Sequence, residues 1–551
     1  MLRGFAESLK QEFKGYNSKA LVKDMMAGLT VAAVALPLAL AFGVSSGADA
    51  AAGLITAIIA GLIMSILAGG YYQISGPTGA MAAILTSLVA AYGLNGVFIA
   101  TLMAGILLLA AGILRLGKLT SFIPAPVITG FTTGIAVIIA LGQIDNFFGT
   151  TSEGTTAVAK LLSYGRLGFH PNMTAVCIGL FVVLFMVFFP KKWNSVVPAS
   201  LVSIIIATAV SIFAGLDVAV VGTIPQTLFP ENSLRLSALN FDMMTKLIAP
   251  AFSIAILGMI ESLLCGASAG QMTGVRLDSN QELIAQGIGN ILLPFFGGIP
   301  ATAAIARTSV AIRSGAKTRL TGVFHAVGLL ISMFLLAPVM SKIPLAALAG
   351  VLMVTAWRMN EWNSIFYMFS HKFKGAMLEF LATMFATILF DLTTAILVGV
   401  VIGLIFLVSR LSFIEINYEK VHMERLHVAD EALCNRYNNA MVAYITGPMI
   451  FANTQSITDI AAHMEHCDTL LLSMRGVSNI DISCAQALRG LVTQLREEQG
   501  IDIAICGLPT RSMEMMERTE LDKYIGKENF YWSVERALLT NRPLPRCREK
   551  A

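Results

Sequence analysis

The sequence predicts a polytopic α-helical membrane protein of about fourteen spanning segments, in two sets of seven, followed by a small α/β domain. Three observations carry this expectation. Hydrophobic residues make up 56% of the 551 positions and charged residues 13%, against about 25% charged in an ordinary soluble domain. The charges are also unevenly spread: from Met25 to Leu114 the only one is Asp49, and from Leu119 to Ile144 there is none. After Arg410 the apolar runs stop and a polar, mixed pattern begins. A water-soluble fold has no way to cover its surface with such stretches, which excludes a soluble enzyme, a nucleic-acid binder and a disordered scaffold. The net charge of +4 matters less here than where the charges fall.

Residues 1–20 come first. Charge interrupts them every few positions, so they are not a signal peptide. Phe5, Leu9 and Phe13 fall at i, i+4 and i+8, the pattern of an amphipathic helix on the cytosolic membrane surface, with a plain solvated helix as the alternative. The apolar runs then lie near 25–44, 51–69, 78–92, 95–114, 124–145, 172–190 and 195–214. A second set lies near 245–266, 281–296, 302–313, 320–340, 343–357, 376–391 and 393–410. With a cytosolic N-terminus, the clusters Arg115/Lys118, Lys191/Lys192, Arg313/Lys317/Arg319, Arg358/Lys372/Lys374 and Arg410 fall on one side, as cytosolic loops should. Both termini are then cytosolic.

Two segments are too short and begin abruptly. One starts at Ser75-Gly76-Pro77-Thr78-Gly79, the other at Gly297-Gly298-Ile299-Pro300-Ala301-Thr302. Each holds third place in its set of seven. Paired, interrupted segments in corresponding halves point to an inverted-repeat transporter with its site near mid-membrane; two re-entrant loops or Pro-kinked helices are the competing reading.

The transporter region is expected over 21–413, a linker over 414–436 and an α/β domain over 437–545. In that domain Met441–Ile445, Thr469–Met474 and Ile501–Cys506 read as strands, and Thr454–Glu465, Cys484–Gln499 and Thr510–Thr519 as helices. The seven cysteines (Cys177, Cys265, Cys434, Cys467, Cys484, Cys506, Cys547) form no C-x-x-C pair, so neither a disulfide framework nor a structural zinc site is expected. Five of them follow Arg410, which fits a reducing compartment. The chain contains neither a G-x-x-x-x-G-K-[ST] loop nor an H-E-x-x-H pair, so ATP-driven pumping and zinc hydrolysis lack support and no metal or cofactor is expected.

The eighth segment has one carboxylate, Glu261, and Gly258, Glu261, Cys265 and Ser268 share one helical face. A charge in mid-membrane costs about 3 kcal/mol even on gentle insertion scales, so Glu261 is a candidate proton carrier, or else a carboxylate paired within the bundle. Arg307, four residues after Ala303 in the tenth segment, is its natural partner. A half-helix N-terminus with free N–H groups, Thr302 at its mouth and a guanidinium one turn along makes an anion site. Arginine grips oxyanions in bidentate fashion; a structural Arg307–Glu261 ion pair is the alternative. Thr78 and Ala303 sit at the two broken lead-ins, and Phe42, after the Pro37 break in the first segment, is placed to wall the pocket. His325, inside the eleventh segment, either joins a proton path or packs with a hydrogen bond.

These residues resemble the SulP family of sulfate permeases and anion transporters over nearly the whole chain. The likeness is carried by Ala35-Leu36-Pro37 to Phe42, by Ser75-Gly76-Pro77-Thr78, and by the block from Glu261-Ser262-Leu263-Leu264 through Gly287-Ile288-Gly289-Asn290 to Phe296-Gly297-Gly298, with Ala304-Ile305-Ala306-Arg307-Thr308 following. The resemblance implies a 7+7 inverted repeat in which a core moves against a gate in an elevator-like manner, and a homodimer. The tail resembles a STAS domain, the module shared with anti-sigma-factor antagonists, and Ser483 lies where those carry a phosphorylatable serine, implying a cytosolic protein partner. In the sodium-bicarbonate branch the sodium site uses an Asp and a Thr on the eighth segment and a Thr on the tenth. The matching positions here hold Glu261, Cys265 and Ile305, which favours proton coupling over sodium.

The expected function is therefore secondary active, proton-coupled symport of a small inorganic or carboxylate anion (sulfate, bicarbonate or a dicarboxylate) across a bacterial inner membrane, by a protein that is not an enzyme. A sodium-coupled bicarbonate symporter, an anion channel and a membrane-anchored STAS sensor are the alternatives.

Overall fold

The computed structural model describes residues 2–118, 124–154, 157–190, 198–224, 226–235, 240–390, 392–411, 413–422, 437, 439–464 and 466–540. Lys191, Lys192, Cys434, Cys547 and most of the expected linker lie outside them. The chain divides into two compact units, Met1–Val401 and Ile402–Ala551.

The first unit is helical. It runs α1 (Leu2–Glu12), α2 (Ser18–Ser45), α3 (Ala50–Leu67), β1 (Ser75–Gly76), α4 (Gly79–Ile113), α5 (Ala125–Gly142), α6 (Ala157–Leu167), α7 (Met173–Phe188) and α8 (Ala199–Phe213). It continues with α9 (Ile248–Thr273), α10 (Ser279–Leu292), β2 (Thr302–Ala303), α11 (Ile305–Arg313), α12 (Leu320–Met340), α13 (Leu345–Met359), α14 (Trp362–Ser370) and α15 (Lys374–Leu389). The next helix, α16 (Leu392–Leu411), carries the chain into the second unit. Among the described residues, six helical stretches are long and apolar enough to span a bilayer, with mean hydropathy between 1.9 and 2.4. Four shorter apolar helices add to them.

Most expected segments correspond to helices, and the departures have physical causes. The third and fourth runs are one helix broken at Gly93, whose φ of 66° and ψ of −177° suit a residue without Cβ. Pro37 does not break α2, which continues through it, as membrane helices tolerate where neighbours re-satisfy the backbone. The tenth segment becomes helical only at Ile305, because Thr302 and Ala303 are taken into a strand. The helices α6 and α14 were missed because they are short and amphipathic, and a search for apolar runs passes over them.

Close packing needs small residues where the hydrophobic effect between helices is weak. A Cβ on Gly287 of α10 would lie 2.5 Å from the Leu109 nitrogen of α4, and one on Gly105 would lie 2.6 Å from the Ile291 nitrogen. Backbone meets backbone there, so α10 lies directly against α4.

The second unit contains a five-stranded sheet in the order β3 (Glu415–Lys420), β4 (Ala440–Thr446), β5 (Thr469–Gly476), β6 (Asp502–Cys506) and β7 (Phe530–Tyr531). The β3–β4 pair is antiparallel and the others are parallel. The helices α17 (Ile482–Thr493), α18 (Thr510–Arg518) and α19 (Val534–Leu539) connect or follow the strands. Residues 415–420, expected as connector, are an edge strand: Ile416 and Tyr418 turn inward while Glu415, Asn417 and Glu419 face out. Two inward side chains among polar and charged ones read as a polar loop in sequence.

Candidate functional site

The two broken lead-ins pair with each other. β1 and β2 form a two-stranded antiparallel ladder with Ser75 opposite Ala303 and Gly76 opposite Thr302, and each strand runs directly into a helix, α4 and α11. Two helix N-termini therefore start from one buried ladder, each with free N–H groups. Helix α9 holds the ladder: Ser262 Oγ accepts from the Ala303 N–H at 3.2 Å, and the Ser262 carbonyl accepts from Gln73 Nε2 at 2.8 Å. Thr308 Oγ1 accepts from the Ile74 N–H at 3.1 Å and from Cys265 Sγ at 3.2 Å. A Cβ on Gly258 would meet Thr302 Cγ2 at 3.7 Å, so Gly258, Glu261 and Cys265 all turn toward the ladder.

At the ladder's end, Thr78 Oγ1 and Thr302 Oγ1 both donate to Glu261 Oε2, at 2.9 and 2.6 Å. Thr78 also caps α4, accepting from the Met81 N–H at 3.4 Å. Arg307 is in the first turn of α11 and 1% exposed. Its Nη2 donates to the Pro77 carbonyl at 2.9 Å, while its Nη1 has no hydrogen-bond partner among the described residues. The guanidinium fits because position 76 is glycine: a Cβ there would lie 2.1 Å from Nη1.

The alternative reading, a structural Arg307–Glu261 ion pair, is absent among the described residues. Hydroxyls hold the carboxylate and a carbonyl holds the guanidinium. The i, i+4 relation of Ala303 to Arg307 fails too, because Ala303 belongs to the strand; the arginine reaches the site from the helix's own first turn. A buried guanidinium without a carboxylate is costly, and an anion placed among Nη1, the two helix N-termini and the threonine hydroxyls would offset that cost.

Phe42, 7% exposed, stands beside this point, with its Cε1 3.1 Å from where a Cβ of Gly79 would be. On the other side of Gly79 is Ile139 of α5, whose Cδ1 would lie 2.4 Å from that Cβ. Ile139 also lines a crevice of about 820 Å³ between the first half of α4, α5, the start of α9 and α15. Lys160 of α6 is the only charged residue lining it among the described residues. Neither Ile139 nor Lys160 is recognisable in sequence, because nothing there says which helices flank the ladder.

His325 does not make the expected hydrogen bond. It is fully buried and both ring nitrogens lack a partner among the described residues. It packs into a hollow of α3, where a Cβ on Gly61 would lie 2.8 Å from Nδ1.

In the second unit Ser483 is half-buried in the first turn of α17. The preceding Asp481 caps that helix, accepting from the Cys484 N–H at 2.9 Å and from the Phe451 N–H at 2.6 Å. Burial pushes the neighbouring Cys484 thiol up to about 12, so it is an inert packing group.

Comparison with known proteins follows the same division. Residues 21–386 match the sulfate permease family and residues 432–537 match the STAS domain. The chain is 36% identical to the putative sulfate transporter YvdB of Bacillus subtilis, covering 94% of this chain and 97% of that protein. It is 30% identical to the bicarbonate transporter BicA of Picosynechococcus, covering 94% of each. The transmembrane domain of a cyanobacterial BicA superposes with a TM-score of 0.63 at 32% identity, covering 70% of this chain and 98% of that one. A murine anion transporter, Solute Carrier 26 family member A9, superposes at 0.83 over 95% of this chain and 92% of its own, at 18% identity; that likeness is one of fold.

Proposed function

The chain belongs to the sulfate permease family, and we propose that within it the protein is a proton-coupled symporter of a small oxyanion or dicarboxylate. That it transports anions across a membrane, and is not an enzyme, follows from the family and its relatives. The finer reading is supported above all by one observation: a buried arginine with an N–H unpartnered among the described residues, at the point where two helix N-termini leave one strand pair. Arg307, Thr78, Thr302, the Ala303 backbone and Phe42 form the anion site, and Glu261 carries the coupling proton. Its carboxylate accepts from two hydroxyls and is in no ion pair among the described residues, an arrangement that a proton can neutralise without breaking such a pair. At two of the positions matched to the sodium site of the sodium-bicarbonate branch, Cys265 presents sulfur and Ile305 is apolar and 45% exposed.

Transport in this reading is elevator-like, with the ladder-bearing helices moving past α5 and α15. The protein resides as a homodimer in a bacterial plasma membrane with both termini cytosolic, the arrangement that puts Arg115, Lys118, Arg313, Lys317, Arg319 and Arg358 inside. In this reading the transporter region ends near 413, the second domain starts with β3 at Glu415 and not at 437, and the surface around Ser483 serves a cytosolic partner.

Reconstitution of the full chain in liposomes tests this. Uptake of sulfate, bicarbonate, fumarate and succinate is measured with and without an acidic exterior, in sodium and in choline medium. Saturable accumulation of one anion, driven by the pH gradient and unchanged in choline, is expected. Sodium-dependent accumulation would favour a sodium symporter, unsaturable conductance a channel, and absence of uptake a sensor.

A further inference from the structure

Where α1 meets the start of α2, Lys14, Lys19, Lys23 and Lys317 line one open groove of about 370 Å³, together with Tyr16 and Asn17. None of the four ammonium groups is in an ion pair among the described residues. The nearby carboxylates are committed elsewhere. Glu12 accepts from both the Arg319 N–H and Arg319 Nε at 2.7 Å, with both side chains buried. Asp24 is fully buried and accepts from Tyr16, from the Lys317 and Thr318 N–H groups, and from the Thr318 and Thr321 hydroxyls. Glu12 also lines the groove, but it is paired with Arg319, so the four ammonium groups have no carboxylate partner among the described residues.

The groove also borders a lipid-facing surface. At about 100° per residue, Lys19 and Lys23 lie within about 40° of each other on α2, and Val22 and Met26 lie on the adjoining strip. Met25 and Leu29 extend that strip. All four apolar side chains are exposed, at 51%, 55%, 38% and 44%, on a helix apolar enough to span a bilayer. Helix α1 does not lie free on a membrane surface: it is tied down through Glu12 and through Phe5, whose ring is 5.1 Å from the Arg319 guanidinium. It forms one wall of the groove.

We propose that this groove binds an anionic phospholipid, its headgroup phosphate among Lys14, Lys19, Lys23 and Lys317 and its acyl chains along Val22, Met25, Met26 and Leu29. Charge complementarity selects the headgroup, and the continuous exposed strip selects a lipid over a free anion. Each lysine near such a surface strengthens binding about fivefold.

The test uses the full chain, delipidated and then titrated with phosphatidylglycerol or phosphatidylcholine, with retained lipid counted by native mass spectrometry. Wild-type protein is expected to retain phosphatidylglycerol over phosphatidylcholine. Lys19→Gln/Lys23→Gln, at two exposed positions that folding tolerates, is expected to weaken retention by at least about tenfold, and Lys19→Arg/Lys23→Arg to preserve it. Val22→Ser/Met26→Ser should weaken retention with the charges intact. Equal retention of both lipids, or an unaffected glutamine variant, would overturn the proposal. So would complete displacement by millimolar inorganic phosphate, which would make the groove a soluble-anion site.

Discussion

Arg307 and Glu261 are two opposite charges on neighbouring helices that avoid each other. Each is held by neutral partners: Pro77 for the guanidinium, Thr78 and Thr302 for the carboxylate. An ion pair would have stabilised the bundle and consumed the donors an anion needs. Arg307→Ala is expected to leave the protein folded and to lose anion binding. Removing a charged hydrogen-bonding partner costs about 2–5 kcal/mol, at least about 30-fold in affinity, which isothermal calorimetry reads directly. Arg307→Lys should recover little, because an ammonium lacks the planar fork. Glu261→Gln keeps the shape of the side chain and an oxygen for the two hydroxyls, so folding and anion affinity should survive. Net uptake should no longer respond to an imposed pH gradient in liposomes. Undiminished dependence on that gradient would make Glu261 structural.

At the scale of elements the site depends on the strand pair. Gly76→Ala puts a methyl 2.1 Å from Nη1, so the guanidinium must shift, and its bond to the Pro77 carbonyl is expected to weaken or break. A loss of affinity of about tenfold or more is expected, since a hydrogen bond to a charged group is worth about 1.5–3 kcal/mol. Gly142→Ala, which meets nothing within 4 Å, is the control, and equal affinity in the two variants would contradict this role for Gly76. The lead-ins themselves were legible in sequence, because Pro and Gly ahead of a short small-residue run leave few other readings. Their pairing was not. Arg307 and Pro77 lie 230 positions apart, and two-residue strands carry no periodicity that would set a register. The partners from α9 were half legible: one face carrying Gly258, Glu261 and Cys265 was visible, but Ser262, which bonds the ladder on both sides, read as an ordinary neighbour. His325 was visible as an oddity, yet its glycine hollow exists only once α3 and α12 are packed.

For the whole molecule, the change of composition after Arg410 corresponds to a physical change of solvent. Helix α16 ends at Leu411 and β3 begins at Glu415, so a cut near Ile414 removes the entire sheet and leaves α16 whole. A cut after Lys420 would keep β3 without β4, its partner along the full length of the strand. An unpaired edge of that kind invites association between chains. The chain ending at 414 is therefore expected to purify as a monodisperse species, and the chain ending at 420 to aggregate, as size-exclusion chromatography will show. Every group at the ladder, from Phe42 to Arg307, belongs to the first unit. Anion affinity of the shorter chain, measured by calorimetry, should then match the full-length protein within about threefold, a difference of less than 1 kcal/mol. Loss of binding in a monodisperse chain ending at 414 would mean that the second unit helps to hold the site in its binding geometry.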